Sequence, residues 1–208
     1  LTENDSRNNL FVSFAKYLSV LQPQWFVFEN VVGLLTHKSG TTLSVLLKEF
    51  RKVGYEVDFR ILNSAFYGTP QARERLIVVG NRLKIKFKWP KPTHYWEHRS
   101  MAGKHSKHVL RPKSESDCAK AVPVSDALTD LQPVAPGEVN NQYKSDHTLN
   151  SYQKYLRAKG KPLTWHEATK HSPKMMEIIR NSGYSIEAVR HLVTSGFSTS
   201  YSRLEPER

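Results

Sequence analysis

Two clusters in this 208-residue chain carry side chains able to do chemistry. The first is Glu29-Asn30, directly after the apolar run Trp25-Phe26-Val27-Phe28. Ligands of open α/β sheets bind at the carboxyl ends of the strands. An acid leaving a buried strand is desolvated, so it is expected to hold a proton nearer neutral pH and to donate it or a hydrogen bond there. An ordinary Glu opening a loop has the same local sequence. The second cluster is Thr69-Pro70-Gln71-Ala72-Arg73-Glu74-Arg75. In an extended chain Gln71, Arg73 and Arg75 share one side. Two guanidinium forks leading into an apolar strand can grip a phosphate or a base carbonyl. A pair of surface arginines in a loop is the plain alternative.

A third region is set apart by charge. Residues 82–113 hold ten Lys or Arg and a single acid, Glu97, with Phe87, Trp89, Tyr95 and Trp96 interleaved. Basic groups neutralise phosphates, and rings stack or wedge against bases. A salt-sensitive nucleic-acid surface and a solvated basic loop are both compatible with this composition. The whole chain has a formal charge of +12, which suggests a polyanionic partner but also fits a basic protein without one.

The elements that must position these residues can be read from periodicity. Leu10, Phe14, Leu18 and Leu21 recur at helical spacing and stop before Pro23. Trp25–Phe28 has the continuous apolar character of a buried parallel strand. Thr41 or Thr42 is placed to cap a second helix, with Leu43, Leu46, Leu47 and Phe50 on one face and Gly54 just past its end. Val57, Phe59 and Ile61 alternate with Asp58 and Arg60 as in a half-buried strand, and Leu76–Val79 is a further buried one. Helix, strand, helix, strand, loop, strand is part of an α/β layered domain. After about residue 90 prolines punctuate a polar, loop-rich region. Short helices are expected at 125–131, 149–157, 172–181 (Ser172 as cap, Pro173 in the first turn) and 185–192. The composition shift places a boundary near residues 88–95.

Other chemistries are disfavoured. One cysteine, Cys118, allows neither an internal disulfide framework nor a cysteine zinc site. His166-Glu167-Ala168-Thr169-Lys170-His171 is one residue too long for a paired-histidine metal helix, since five residues separate the rings by about 140°. A capping or DNA-contact role suits that segment better. Met175 and Met176 beside Ile178 and Ile179 are most simply core. No metal is expected, and no apolar run is long enough to span a membrane.

Taken together, Phe28-Glu29-Asn30-Val31 at a strand end and Leu62 through Arg75 closely resemble the cytosine-5 DNA methyltransferase family. Asp5-Ser6-Arg7-Asn8-Asn9-Leu10-Phe11 is similar to the segment preceding the Glu-Asn-Val strand there, and Ser200–Glu207 to the lead-in of a later motif. The resemblance implies a fold: part of a Rossmann-like methyltransferase sheet in residues 1–90, then a loop-rich target-recognition domain in 91–208. It also implies a reaction. A cytosine is flipped out of double-stranded DNA, a Cys thiolate adds to carbon-6, and carbon-5 takes a methyl group from S-adenosylmethionine. By match, Glu29 holds the N3 and amino edge of the base, with Asn30 bracing the nucleophile loop. Arg75 contacts the cytosine carbonyl or a neighbouring phosphate, Arg73 supports Glu29, and Gln71 supports the site. Leu10 touches the cofactor adenine, and Lys104, Lys107 and Arg111 are the expected DNA contacts.

The family's nucleophile lies in a Pro-Cys motif upstream of Asp5, and the main cofactor loop lies there too. Neither is in these residues, and Cys118, preceded by Asp117, does not match the motif. The chain therefore reads as the base-holding half of an enzyme of restriction–modification or orphan type, inactive alone. The missing part would lie on the same protein or on a separate chain. A competing reading is a DNA-binding module or a subunit of a split enzyme; RNA as substrate shares the same chemistry. The expected location is cytoplasmic in a bacterium and nuclear in a eukaryote.

Overall fold

A computed structural model describes residues 10–96, 100, 102–103, 106–114, 116–157 and 162–182. The expectations at 1–9 (except Leu10), Lys104, 185–192 and 200–207 lie outside these. The chain divides into two compact units, Leu1–Ala127 and Leu128–Arg208.

In the first unit helix α1 (Leu10–Leu21) leads to strand β1 (Trp25–Asn30), helix α2 (Thr41–Lys52), strand β2 (Glu56–Asn63) and strand β3 (Glu74–Asn81). The sheet order is β1-β3-β2. The continuous apolar run of β1 suggested a parallel strand buried on both faces. Instead β1 pairs antiparallel with β3, with Glu29 opposite Ile77 and Asn30 opposite Leu76. Only one of its faces is covered: Phe26 is buried, whereas Val27 is 64% exposed. The central strand is β3, which pairs with β2 from Glu56↔Asn81 to Asn63↔Glu74.

The covered face is an aromatic core. Phe14 of α1, Phe26 and Phe28 of β1, Phe50 of α2 and Tyr55 meet with ring centroids 5.0 to 5.7 Å apart, mostly edge to face. Such pairs add to the burial energy of the rings. Leu46, Phe50, Ile61, Leu76 and Val78 are completely buried around them. Gly80 stands opposite Phe26 in the ladder, and a Cβ there would lie 2.1 Å from the Phe26 ring. The missing side chain is what lets the ring lie flat on β3.

Two local expectations are corrected. Neither Thr41 nor Thr42 caps α2. Its N-cap is Gly40 in the left-handed region (φ 84), Thr41 Oγ1 donates to the Lys38 carbonyl, and Thr42 Oγ1 bonds His37 Nδ1. Along α1 the buried positions are Ala15 and Leu18, with Phe14 packed beside them, while Leu10 and Leu21 are 62% and 72% exposed.

The two edges of the sheet differ. Along β2, Ile61 N donates to the His108 carbonyl and Leu110 N to the Ile61 carbonyl, which seats Val109 in the core. Among the described residues nothing pairs with the outer edge of β1. Val109 and Leu110 thus pack within the first unit. A small parallel pair, β4 (His94–Tyr95) with β5 (Ala119–Lys120), completes it.

The second unit is built differently. Helix α3 (Val124–Leu128) leads into it, followed by α4 (Ser151–Arg157) and α5 (Pro173–Ser182). Ser172 Oγ accepts from Met175 N at 3.3 Å, as its expected capping role requires. Ile178 is buried, but Ile179 is 45% exposed, so the expected apolar cluster there is only partly core. Among the described residues, polar Asp130 and Gln153 are buried there as well. Gln153 is 1% exposed and bonds His147, Thr129 and the Asn150 backbone. Buried Asp130 pairs with Arg157, whose guanidinium lies 3.4 Å from the Tyr143 ring centroid.

Candidate active site

Alternation along β1 turns Phe26 and Phe28 into the aromatic core, so Glu29 stands on the opposite face. The ladder register puts Ile77 beside it, and Arg75 is two residues along β3 on that same face. The diagonal neighbours meet: Arg75 Nε lies 2.7 Å from Glu29 Oε1. Arg75 also donates from NH1 to the Glu74 carbonyl at 2.7 Å, which fixes the guanidinium against its own backbone. Asn30 turns its Oδ1 back to accept from Val31 N at 2.8 Å and so shapes the exit from β1.

The expected desolvation of Glu29 is not met. Its side chain is 54% exposed, because this face of the sheet is open at Val27 and Glu29. What holds the carboxylate is the guanidinium, not burial. An ion pair this exposed contributes little to stability. Its consequence is geometric: one carboxylate oxygen is oriented by Arg75.

The ion pair to Glu29 is made by Arg75 and not by Arg73. Arg73 is exposed and makes no ion pair among the described residues; its carbonyl accepts from Ser64 N at 3.0 Å. Alternation could not be counted back from Arg75 because β3 begins only at Glu74. Residues before it form a loop pinned to the turn Ser64–Tyr67: Thr69 N donates to the Ser64 carbonyl at 3.2 Å, and Ser64 Oγ to the Gln71 carbonyl at 2.5 Å. The Gln71 side chain is exposed on that loop. Gly68 has φ 80, and a Cβ there would lie 2.8 Å from the His94 ring, so a glycine is required where the loop passes His94.

The start of the basic stretch is a strap whose residues 82–86 are all exposed and which alternates from Lys86 to Trp89. Lys84, Lys86 and Lys88 face solvent, while Phe87 and Trp89 turn inward. Phe87 packs on Trp25 and Trp89, and Trp89 Nε1 donates to Asp58 Oδ2 at 2.7 Å with Arg60 over its ring. These two rings therefore fasten the strap to the sheet and are not available for bases. Tyr67 OH, its pKa raised by burial, donates to the Pro90 carbonyl at 3.1 Å. Of the expected DNA contacts, Lys107 is exposed, but Arg111 donates to the Ser106 and Gly103 carbonyls and closes its own loop. The outward Lys86 and Lys88 alternate in the sequence with the inward Phe87 and Trp89, a signal that composition alone does not carry.

Among the described residues no group of three His, Cys, Asp or Glu could hold a metal ion. His166 is not on a helix; its Nε2 bonds the Gln132 carbonyl at 2.7 Å. No helix of the described residues is long and apolar enough to cross a membrane. Leu10, the expected adenine contact, is an exposed apolar side chain at the start of α1.

Comparison with known proteins shows the family and the fold. The family model for C-5 cytosine-specific DNA methylases matches residues 2–203. The type II methyltransferase M.BsuRI of Bacillus subtilis is 33% identical over 168 residues, 78% of this chain and 35% of that protein. M.DdeI of Desulfomicrobium norvegicum is 28% identical over 181 residues, and M.Sau96I of Staphylococcus aureus is 50% identical over 92. The chain spans 35% and 39% of the length of M.BsuRI and M.DdeI. A crystal structure described as a DNA modification methyltransferase of an E. coli prophage superposes on 86% of this chain and 51% of its own at TM-score 0.50, with 21% identity. The fold is thus that of the Rossmann-like DNA methyltransferases, and the chain belongs to the C-5 cytosine-specific DNA methylase family.

Proposed function

We propose that this chain is the base-holding and DNA-reading part of a DNA (cytosine-5-)-methyltransferase. The observation that carries this reading is the Glu29–Arg75 pair, in which β1 and β3 present a carboxylate and a guanidinium 2.7 Å apart on an open sheet face. A cytosine edge offers an acceptor carbonyl, a ring nitrogen and an amino donor. The free oxygen of Glu29 accepts from the amino group. Arg75 donates to the carbonyl or to the adjoining phosphate. Electron demand at the ring falls on these contacts as carbon-6 is attacked, so they strengthen in the transition state. Asn30 shapes the loop leaving β1, Arg73 is free for a phosphate, and Gln71 lies on the loop between them.

S-adenosylmethionine supplies the methyl group when bound. Of its site these residues offer the exposed Leu10, which suits the flat face of an adenine. The thiolate is expected from a Pro-Cys motif outside these 208 residues, in the same protein or a partner. Cys118 is half-buried, with its thiol 3.7 Å from the Pro92 carbonyl, and is not preceded by proline. A further consequence is that the outer edge of β1 is where more strands of the enzyme join. An open apolar edge is otherwise a site of unwanted association.

Double-stranded DNA is the proposed partner, gripped through Lys84, Lys86, Lys88 and Lys107, with the catalytic half ending near residue 90 and recognition running through 91–208. In a bacterial restriction–modification system it would work in the cytoplasm. The test is methyl transfer from labelled S-adenosylmethionine by the intact methyltransferase. Glu29→Gln is expected to lower turnover about 10²- to 10⁴-fold while duplex binding stays within a few-fold, and the 208-residue chain alone is expected to transfer nothing. Unchanged turnover in Glu29→Gln would remove the carboxylate from the chemistry.

A further inference from the structure

Trp165 is 87% exposed, the most exposed of the large apolar side chains among the described residues. Its backbone is left-handed, at φ 61, a conformation that costs energy for any residue with a branched or bulky side chain. A ring on a loose tail can be exposed by default. This one is set on a fixed ribbon. The next residue, His166, bonds the Gln132 carbonyl through Nε2 and accepts from Asn140 N at 3.0 Å. Ala168 N donates to the Glu138 carbonyl at 3.0 Å, and Gly137 N donates to the Ala168 carbonyl at 2.8 Å. The fold holds a strained backbone in order to stand an indole in water.

The surroundings select the occupant. Residues 154–174 contain Lys154, Arg157, Lys159, Lys161, Lys170 and Lys174 against one acid, Glu167. Arg157 is taken by Asp130; Lys154 and Lys170, on either side of Trp165 in sequence, are exposed. Flat π-face plus positive charge matches an unstacked base flanked by phosphates, since stacking on an aromatic ring tolerates any base while the cations hold the backbone. Apolar protein partners would be served by a broader patch with less charge.

We propose that Trp165 is a base-stacking residue that takes an unstacked base of the bound DNA on its indole face. This rests on the DNA-methyltransferase reading above. The probes are a fully paired duplex and the same duplex with one unpaired base, titrated against the intact protein over a salt series. Trp165→Ala is expected to weaken binding roughly five- to a hundred-fold, more for the duplex with the unpaired base, with the salt slope unchanged because no phosphate contact is lost. Trp165→Phe keeps most of the affinity. Trp165→Gly removes the backbone strain with the ring, so it keeps or raises the melting temperature and still loses affinity, which separates the effect from misfolding. Wild-type affinity in the alanine and glycine variants overturns the proposal, as does loss of self-association in their place, which would assign the ring to a second copy of the chain. Failure of the wild-type protein to bind either duplex would instead overturn the functional reading on which it rests.

Discussion

The two units of this chain solve the same problem with opposite materials. The first packs five aromatic rings and a set of aliphatic side chains between two helices and one face of a three-stranded sheet. The second, whose described helices have 7 and 10 residues after α3, is organised around a buried glutamine and a buried ion pair. Apolar packing is non-directional and tolerates a rigid frame with one face left open for a ligand. A polar interior is directional: every donor must be placed, so the unit can hold loops in set positions at little apolar cost.

Removing material from each interior should separate them. The largest effect is expected for Phe50→Ala, which deletes a completely buried ring touching Phe14, Phe26 and Phe28. A cost of about 3–5 kcal/mol should unfold the sheet unit, visible in hydrogen exchange of β1 and β3, while protection at Gln153 persists. Loss of protection in both units together would mean that they fold as one. Next is Arg157→Ala, which strands the Asp130 carboxylate in a buried site. Breaking such a pair costs about 3–5 kcal/mol, in the second unit alone. The double change Asp130→Leu with Arg157→Met should recover most of the loss, because it removes both charges. Equal instability of the single and double variants would show that packing, not charge, governs there.

The smallest effect is a pH dependence confined to the first unit. His108 stacks on Phe59 at 4.6 Å, and its pKa lies below the usual 6.5 because burial, then the charges of Lys107 and Arg60, disfavour the imidazolium; Asp58 opposes them in part. The unfolded chain therefore takes up the proton first. Stability from this site is complete above pH 6.5 and declines as pH falls through the region below it. His108→Phe should keep the stack and flatten that acid limb of the melting curve. An acid limb equally steep in the variant would place its origin elsewhere.

The contrast also explains what could be read from sequence. Phe14, Leu46, Phe50 and Val78 lie on periodic faces, so the elements of the first unit and the clusters at Glu29 and Arg75 were legible. The pairing of β1 was not, because the run Trp25–Phe28 looks the same whether one face or both are covered. The pairing of Glu29 with Arg75 and not with Arg73 was hidden by the turn at Thr69–Ala72, where alternation loses its meaning. Phe87 and Trp89 read as candidate base-stacking rings because composition does not say which way a ring turns. In the second unit the Gln153 hub and the Asp130–Arg157 pair join residues far apart in sequence through polar atoms, and no periodicity announces that.

The central claim is that Glu29 and Arg75 act as one unit on the base and that Arg73 stands apart from them. A double-mutant cycle on methyl-transfer rate in the intact methyltransferase tests it directly, with Glu29→Gln combined with Arg75→Gln and separately with Arg73→Gln. Groups that touch and share a ligand are non-additive, by about 0.5–3 kcal/mol, whereas independent ones add. The account predicts strong coupling for Glu29 with Arg75 and near-additivity for Glu29 with Arg73. Additivity for Arg75, or coupling only to Arg73, would contradict it.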